Sequence, residues 1–256
     1  MITRIDHVGV VVRALRDAYP FWRDVLGLPV VREAELRDQG VRAALLACGP
    51  CEVELLEPTD PDTGIARFLA NRGEGLHHLC FESDDVAREV KRFWATGVQM
   101  IDTQPRPGLA GSIAFVHPKS CAGVLIEMAT PAGPTRTPEA PLSVAAVHMV
   151  VESVRAAAQL YRDLFGLKVL FTHPQGLFVE LDVGGVVVQI GSGETTAFPV
   201  GLSVLRLAGP DPPALRARLD AHGIACRPWS GGLQVGPGGS HGVPLIIQEA
   251  RPRARR

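Results

Sequence analysis

An internal duplication constrains this chain more than any other feature. Phe21-Trp22-Arg23-Asp24-Val25-Leu26-Gly27-Leu28 returns as Leu160-Tyr161-Arg162-Asp163-Leu164-Phe165-Gly166-Leu167. Each copy follows an apolar run with one histidine, Ile5-Asp6-His7-Val8-Gly9-Val10-Val11-Val12 and Ala145-Ala146-Val147-His148-Met149-Val150-Val151. A sequence repeat marks one folding unit used more than once, so 1–130 and 143–250 are expected to be duplicate modules. Residues 131–142 carry prolines at 131, 134, 138 and 141. Such a stretch can neither continue a helix nor pair within a sheet, and it reads as the linker.

Each half divides again. In the first, a strand at 5–12 leads into a helix over 15–26, with Pro20 in its first turn and Gly27 as the C-terminal cap. Apolar strands follow near 30–36, 41–48 and 51–57. The order recurs as a strand at 75–82, a helix at 84–96 stopped by Gly97, and strands near 98–102, 111–116 and 123–129. In the second half the helices fall near 153–165 and 212–222. The unit is βαβββ, four times over. One such unit leaves a sheet face bare, so units pair into a curved sheet with helices outside. The fold class is therefore α+β: two tandem modules, each a curved mixed sheet, whose inner face gathers the side chains of alternate strand positions.

Four polar residues interrupt the apolar strands of the first half. His7 and His78 lie in the first strands of its two units, Glu54 and Glu127 in the last strands. His78 follows His7 by 71 residues and Glu127 follows Glu54 by 73, nearly one period. Unrelated core substitutions would not keep that symmetry. A carboxylate inside an apolar strand is costly to bury unless it is paired or bound to metal. Two imidazoles with one or two carboxylates suit a divalent first-row ion (Co, Zn, Mn, Ni or Fe), with positions left for substrate oxygens. The second half keeps His148 but places Gln189, Val204 and Ile246 where Glu54, His78 and Glu127 stand. It reads as a degenerate module that stabilises or covers the first.

The first half resembles the methylmalonyl-CoA epimerases, a family of the vicinal-oxygen-chelate (glyoxalase) superfamily. The resemblance rests on Asp6-His7-Val8, Glu54-Leu55-Leu56-Glu57-Pro58, Ile65-Ala66-Arg67-Phe68-Leu69, Gly75-Leu76-His77-His78, His117-Pro118-Lys119-Ser120 and Gly123-Val124-Leu125-Ile126-Glu127. It implies a divalent metal on His7, His78 and Glu127, with Glu54 at the position of a further ligand, and Glu127 as a catalytic acid/base. His77, by strand alternation, then turns to the other face. It also implies an α-proton transfer on an acyl-CoA or related carbonyl compound, the metal polarising the carbonyl oxygen. In the family a second carboxylate comes from the strand after Gln-Gly-Val. Here that strand is Gly40-Val41-Arg42-Ala43-Ala44-Leu45-Leu46-Ala47-Cys48, without an acid; Glu35, Asp38 and Glu52 lie outside it. A single-base isomerase or lyase step fits the chain equally. His117 and Lys119 are candidate substrate contacts through charge-assisted bonds.

Other function classes are narrowed by simpler features. A net charge of −1 gives no field to hold nucleic acid or anionic lipid. No apolar run reaches the length of a membrane span, the first residues read as a strand and not a signal peptide, and five irregularly spaced cysteines point to a reducing cytoplasm. Cys48-Gly49-Pro50-Cys51 falls between strands and reads as a turn, not a redox motif. The glycine run at 231–239 lacks a following helix and is a loop. The basic ending 251–256 is a solvated tail. The remaining competitors are an extradiol-type dioxygenase, or another metal-dependent lyase of the superfamily, and a non-catalytic ligand-binding protein of the same fold. The expected assembly is a monomer or homodimer.

Overall fold

The structure is a computed structural model that describes residues 1–133, 138–193 and 198–250. Pro134 of the linker and the basic ending lie outside the described residues. The strands are β1 (Ile2–Val11), β2 (Val30–Leu36), β3 (Val41–Cys48), β4 (Cys51–Pro58), β5 (Gly75–Ser83), β6 (Arg106–Gly108), β7 (Gly111–Val116) and β8 (Leu125–Thr130). The second set is β9 (Ser143–Val151), β10 (Lys168–Thr172), β11 (Phe178–Val183), β12 (Val186–Ser192), β13 (Gly201–Gly209), β14 (Cys226–Trp229), β15 (Gly232–Val235) and β16 (Leu245–Glu249). Two eight-stranded sheets result, ordered β2-β3-β4-β1-β5-β8-β7-β6 and β10-β11-β12-β9-β13-β16-β15-β14. The two orders match strand for strand, as a duplicated βαβββ pair requires.

The helices are α1 (Leu15–Tyr19), α2 (Gly64–Arg72), α3 (Val86–Ala95), α4 (Val154–Phe165) and α5 (Pro212–Ala221). Local sequence explains their limits. Ser153 caps α4 by accepting the Ala156 N–H, and Gly166 ends it in the left-handed conformation. Val154, Ala157, Ala158, Tyr161 and Phe165 form its buried stripe at helical spacing. Pro20 does not sit in the first turn of α1. It closes α1 and opens a π-helical stretch, Pro20–Val25, in which the Leu26 N–H bonds to the Phe21 carbonyl. Proline offers no N–H to the turn before it, so the chain rewinds with the wider spacing. Gly27 does take the left-handed conformation, φ 74°.

Two other local expectations change. α2 stands between the first two units, where no helix was expected; Thr63 caps it by accepting the Ala66 N–H. Residues 98–102 form no strand and make a single bridge, Met100 to Val116. Asp102 instead ties this segment down, accepting the Phe115 N–H (2.8 Å) and the Arg106 Nε–H (3.0 Å).

The halves share one apolar core. Phe165 of α4 packs its ring against Phe81 of β5 and Phe93 of α3, with centroids 5.2 and 5.7 Å away. The buried Tyr161 hydroxyl donates to the Cys121 carbonyl (3.2 Å), and Arg92 Nη2 to the Leu164 carbonyl (2.8 Å). The second half thus covers the outer side of the first sheet, leaving that sheet's inner face to the site.

Candidate metal centre and its pocket

The middle of the first sheet, β4-β1-β5-β8, brings one donor from each strand. β1 runs parallel to β4 and antiparallel to β5, and β5 runs parallel to β8. The register sets Glu54, Gly9 and His78 in one row across three strands, while Glu127 pairs with Cys80. His7 precedes Gly9 by two residues and so shares its face. Gly9 is what makes the row possible, because a Cβ there would overlap the His78 imidazole. Sequence reasoning passed over Gly9; a glycine inside a run of β-branched residues was the available signal.

His7 Nε2 lies 3.0 Å from His78 Nε2, 3.3 Å from Glu127 Oε2 and 3.4 Å from Glu54 Oε2. His78 Nε2 lies 2.9 Å from Glu127 Oε2 and 3.4 Å from Glu54 Oε2. The two imidazoles meet nearly edge-on, at 86°. All four residues are buried: His7 is 0%, His78 1%, Glu127 3% and Glu54 6% exposed. Asp6 Oδ1 sits 2.8 Å from His7 Nδ1, which fixes the proton on Nδ1 and turns the Nε2 lone pair toward the centre. This donor set fits a divalent first-row ion: two borderline nitrogens, two hard oxygens and an oriented imidazole. His7, Glu54, His78 and Glu127 form a group that can hold one.

The charges support one another. Burial opposes the His7 imidazolium, yet Cys80, Glu54, Glu127 and Asp6 together raise its pKa well above the usual imidazole value. Burial keeps the Cys80 thiol protonated, so the carboxylates supply the attraction. His78 is also raised, burial being outweighed by its bonds to Glu127 and Glu54. Burial would raise the carboxylates, but the two histidines hold both below the ordinary range.

His77 departs from expectation. Gly9 pairs with His78 and Val10 with Leu76, so the register skips His77 at a bulge. A bulge breaks alternation locally. His77 therefore borders the same pocket as His78, its Nδ1 3.0 Å from His78 Nδ1 and its ring edge-on to Phe68 of α2. Burial and the neighbouring His78 push its pKa down to about 3, so it stays neutral.

Glu54, His78 and Glu127 line a cavity of about 510 Å³, a size suited to a small-molecule ligand. Leu36, Val41, Leu56 and Ile65 form part of an apolar wall, and Ile101, Leu109, Ile113 and Phe115 line it as well. Asp38 adds a third carboxylate from the turn before β3, and Arg67 and Arg106 add two cations. His117 and Lys119 are not among the lining residues. They form the turn after β7, where His117 Nδ1 accepts the Lys119 N–H (3.1 Å). Cys48 and Cys51 are free thiols that face each other across the β3–β4 turn.

In the second sheet Gln189 Nε2 donates to Glu180 Oε1 (3.0 Å), and Ile246 stands beside Arg206 where the first sheet has Glu127 beside Cys80. Among the described residues this sheet gathers no comparable donor group. Nor is any described helix long and apolar enough to cross a membrane.

A family profile for the Glyoxalase/Bleomycin resistance protein/Dioxygenase superfamily matches residues 6–116. The mitochondrial methylmalonyl-CoA epimerase of Mus musculus is 35% identical over 127 residues, 49% of this chain and 71% of that protein. The chain belongs to this superfamily. Among solved structures, a Streptomyces coelicolor methylmalonyl-CoA epimerase variant in complex with 2-nitronate-propionyl-CoA is 37% identical. It aligns with a TM-score of 0.51 over 53% of this chain and 99% of that one. A mutant of 4-hydroxymandelate synthase from Streptomyces coelicolor, 17% identical, aligns over 100% of this chain and 94% of its own with a TM-score of 0.74. That likeness concerns the fold alone, and it spans both sheets of this chain.

Proposed function

We propose that this chain is a metal-dependent isomerase that moves the α-proton of an acyl-CoA or a related carbonyl compound, in the manner of an epimerase. The observation that carries the reading is the convergence of the buried His7, Glu54, His78 and Glu127, of which Glu54, His78 and Glu127 line a cavity of about 510 Å³. The epimerase relatives and the two motif-bearing units of the first half support the substrate class.

His7, His78, Glu54 and Glu127 would hold the ion, which when bound would supply a Lewis acid for the thioester carbonyl. Asp6 keeps His7 in the tautomer that presents Nε2 inward. Glu127 reaches the reacting carbon's proton as general base, its carboxylate kept ionised by the two histidines. β3 brings no acid to the pocket. Asp38, the lining carboxylate outside the donor group, takes a proton from solvent and delivers it to the α-carbon, while Glu127 releases to solvent the proton it took. The apolar walls limit water around the reacting carbon and strengthen each charged contact.

The test is solvent deuterium incorporation into methylmalonyl-CoA, followed by mass spectrometry on metal-loaded protein. One deuteron per molecule at the α-carbon is expected, slowed by Glu127→Gln. Methylmalonyl-CoA and other acyl thioesters recovered without deuterium would overturn the reading.

A further inference from the structure

Arg106 occupies an unusual position in the pocket. Its Nε–H is spent on Asp102 Oδ1 (3.0 Å), and the other Asp102 oxygen accepts the Phe115 N–H (2.8 Å). The guanidinium carbon stands 5.6 Å from the centre of the Phe115 ring, which in turn meets His78 edge-on at 5.4 Å. Asp102 and Phe115 thus hold the guanidinium in one orientation, a single ring away from the donor group. Its Nη1 is buried yet has no hydrogen-bond partner. Arg67, the pocket's other lining cation, is engaged differently: its Nη1 donates to the Asp62 carbonyl (2.6 Å).

A clamped, half-buried guanidinium with one N–H group left unpaired can receive an anionic oxygen, since charge-assisted bonds are short, strong and direction-specific. Ile101, Leu109 and Ile113 line the same cavity and carry no acceptor side chain. We propose that Arg106 is the oxyanion anchor of this pocket, its Nη1 bonding an oxygen of a carboxylate or phosphate on the ligand and so setting the reacting carbon over the donor group. This rests on the reading of the pocket as a substrate site and narrows the substrate to an anionic one. Two parts of an acyl-CoA carry that chemistry: an acyl carboxylate, as in a malonyl-type group, and the phosphates of the carrier.

The test is isothermal titration of malonate and, separately, of coenzyme A into wild type, Arg106→Gln and Arg106→Lys at matched metal content. Thermal melts confirm that each variant is folded. Arg106→Gln is expected to weaken one probe ten- to a hundredfold, with Arg106→Lys recovering part of the loss; if the glutamine variant does not fold, the lysine variant is expected to weaken the same probe severalfold. Loss confined to malonate assigns the anchor to the acyl carboxylate, and loss confined to coenzyme A assigns it to a carrier phosphate. Equal binding of both probes by all three proteins, or binding of neither by wild type, overturns the proposal. Absent α-proton exchange alongside Arg106-dependent probe binding would instead refute the isomerase reading and leave the anchor standing.

Discussion

The imidazole of His78 lies over Gly9, its partner across β1 and β5, so closely that no larger residue fits there without displacing it. A strand interior is a poor place for glycine unless a close approach requires it. Gly9→Ala is therefore expected to push His78 out of line and lower metal affinity roughly 10–100-fold, as losing an outer-shell support does. Titration with a competing chelator, beside a circular dichroism spectrum, checks this. Unchanged affinity in a folded Gly9→Ala protein would remove the steric role of the glycine.

The donor group also sets a pH dependence. In metal-free protein the raised His7 and His78 contribute stability that is complete below about pH 6.5, the unfolded value, and is lost as pH rises through their folded values. Glu54 and Glu127, depressed, contribute stability above about pH 4.3 that is lost as pH falls through theirs. Metal must displace the histidine protons, so affinity should rise by about tenfold per pH unit for each proton released. Calorimetry at neutral pH in two buffers of different ionisation enthalpy should show that release. A buffer-independent heat would mean that the imidazoles are already neutral.

Because Phe165 of α4 packs against Phe81 and Phe93, the halves should melt as one body. Phe165→Ala is expected to destabilise the chain by about 3–5 kcal/mol, the usual cost of emptying a buried aromatic site. The loss should be seen in both halves, as faster amide hydrogen exchange in β1 of the first and in β9 of the second. Two separate transitions in the wild-type protein would contradict this.

How much of this was legible in the sequence depended on which physical signal each residue left. The duplicated helix and the matched spacing of His7 to His78 and Glu54 to Glu127 exposed the four βαβββ units and placed one donor on each central strand. Period-two alternation then misled at His77, because a bulge leaves no trace in composition when both candidates are histidines. The π-helical stretch was hidden for a similar reason: Pro20 marks a defect, but the sequence does not say whether the helix starts, stops or rewinds there. Arg106 escaped because its role depends on Asp102 and Phe115, which come together only when residues 98–102 fail to form the expected strand. The polar turn of His117 and Lys119 drew notice by residue type, while the pocket formed elsewhere.

The metal content of the purified protein, beside a His78→Ala variant, bears most directly on the proposal. Elemental mass spectrometry is expected to find about one divalent ion per wild-type chain and little in the variant, with both proteins folded. Wild-type protein that arrives without metal, and takes up no cobalt, zinc, manganese, nickel or iron when these are supplied, would contradict it.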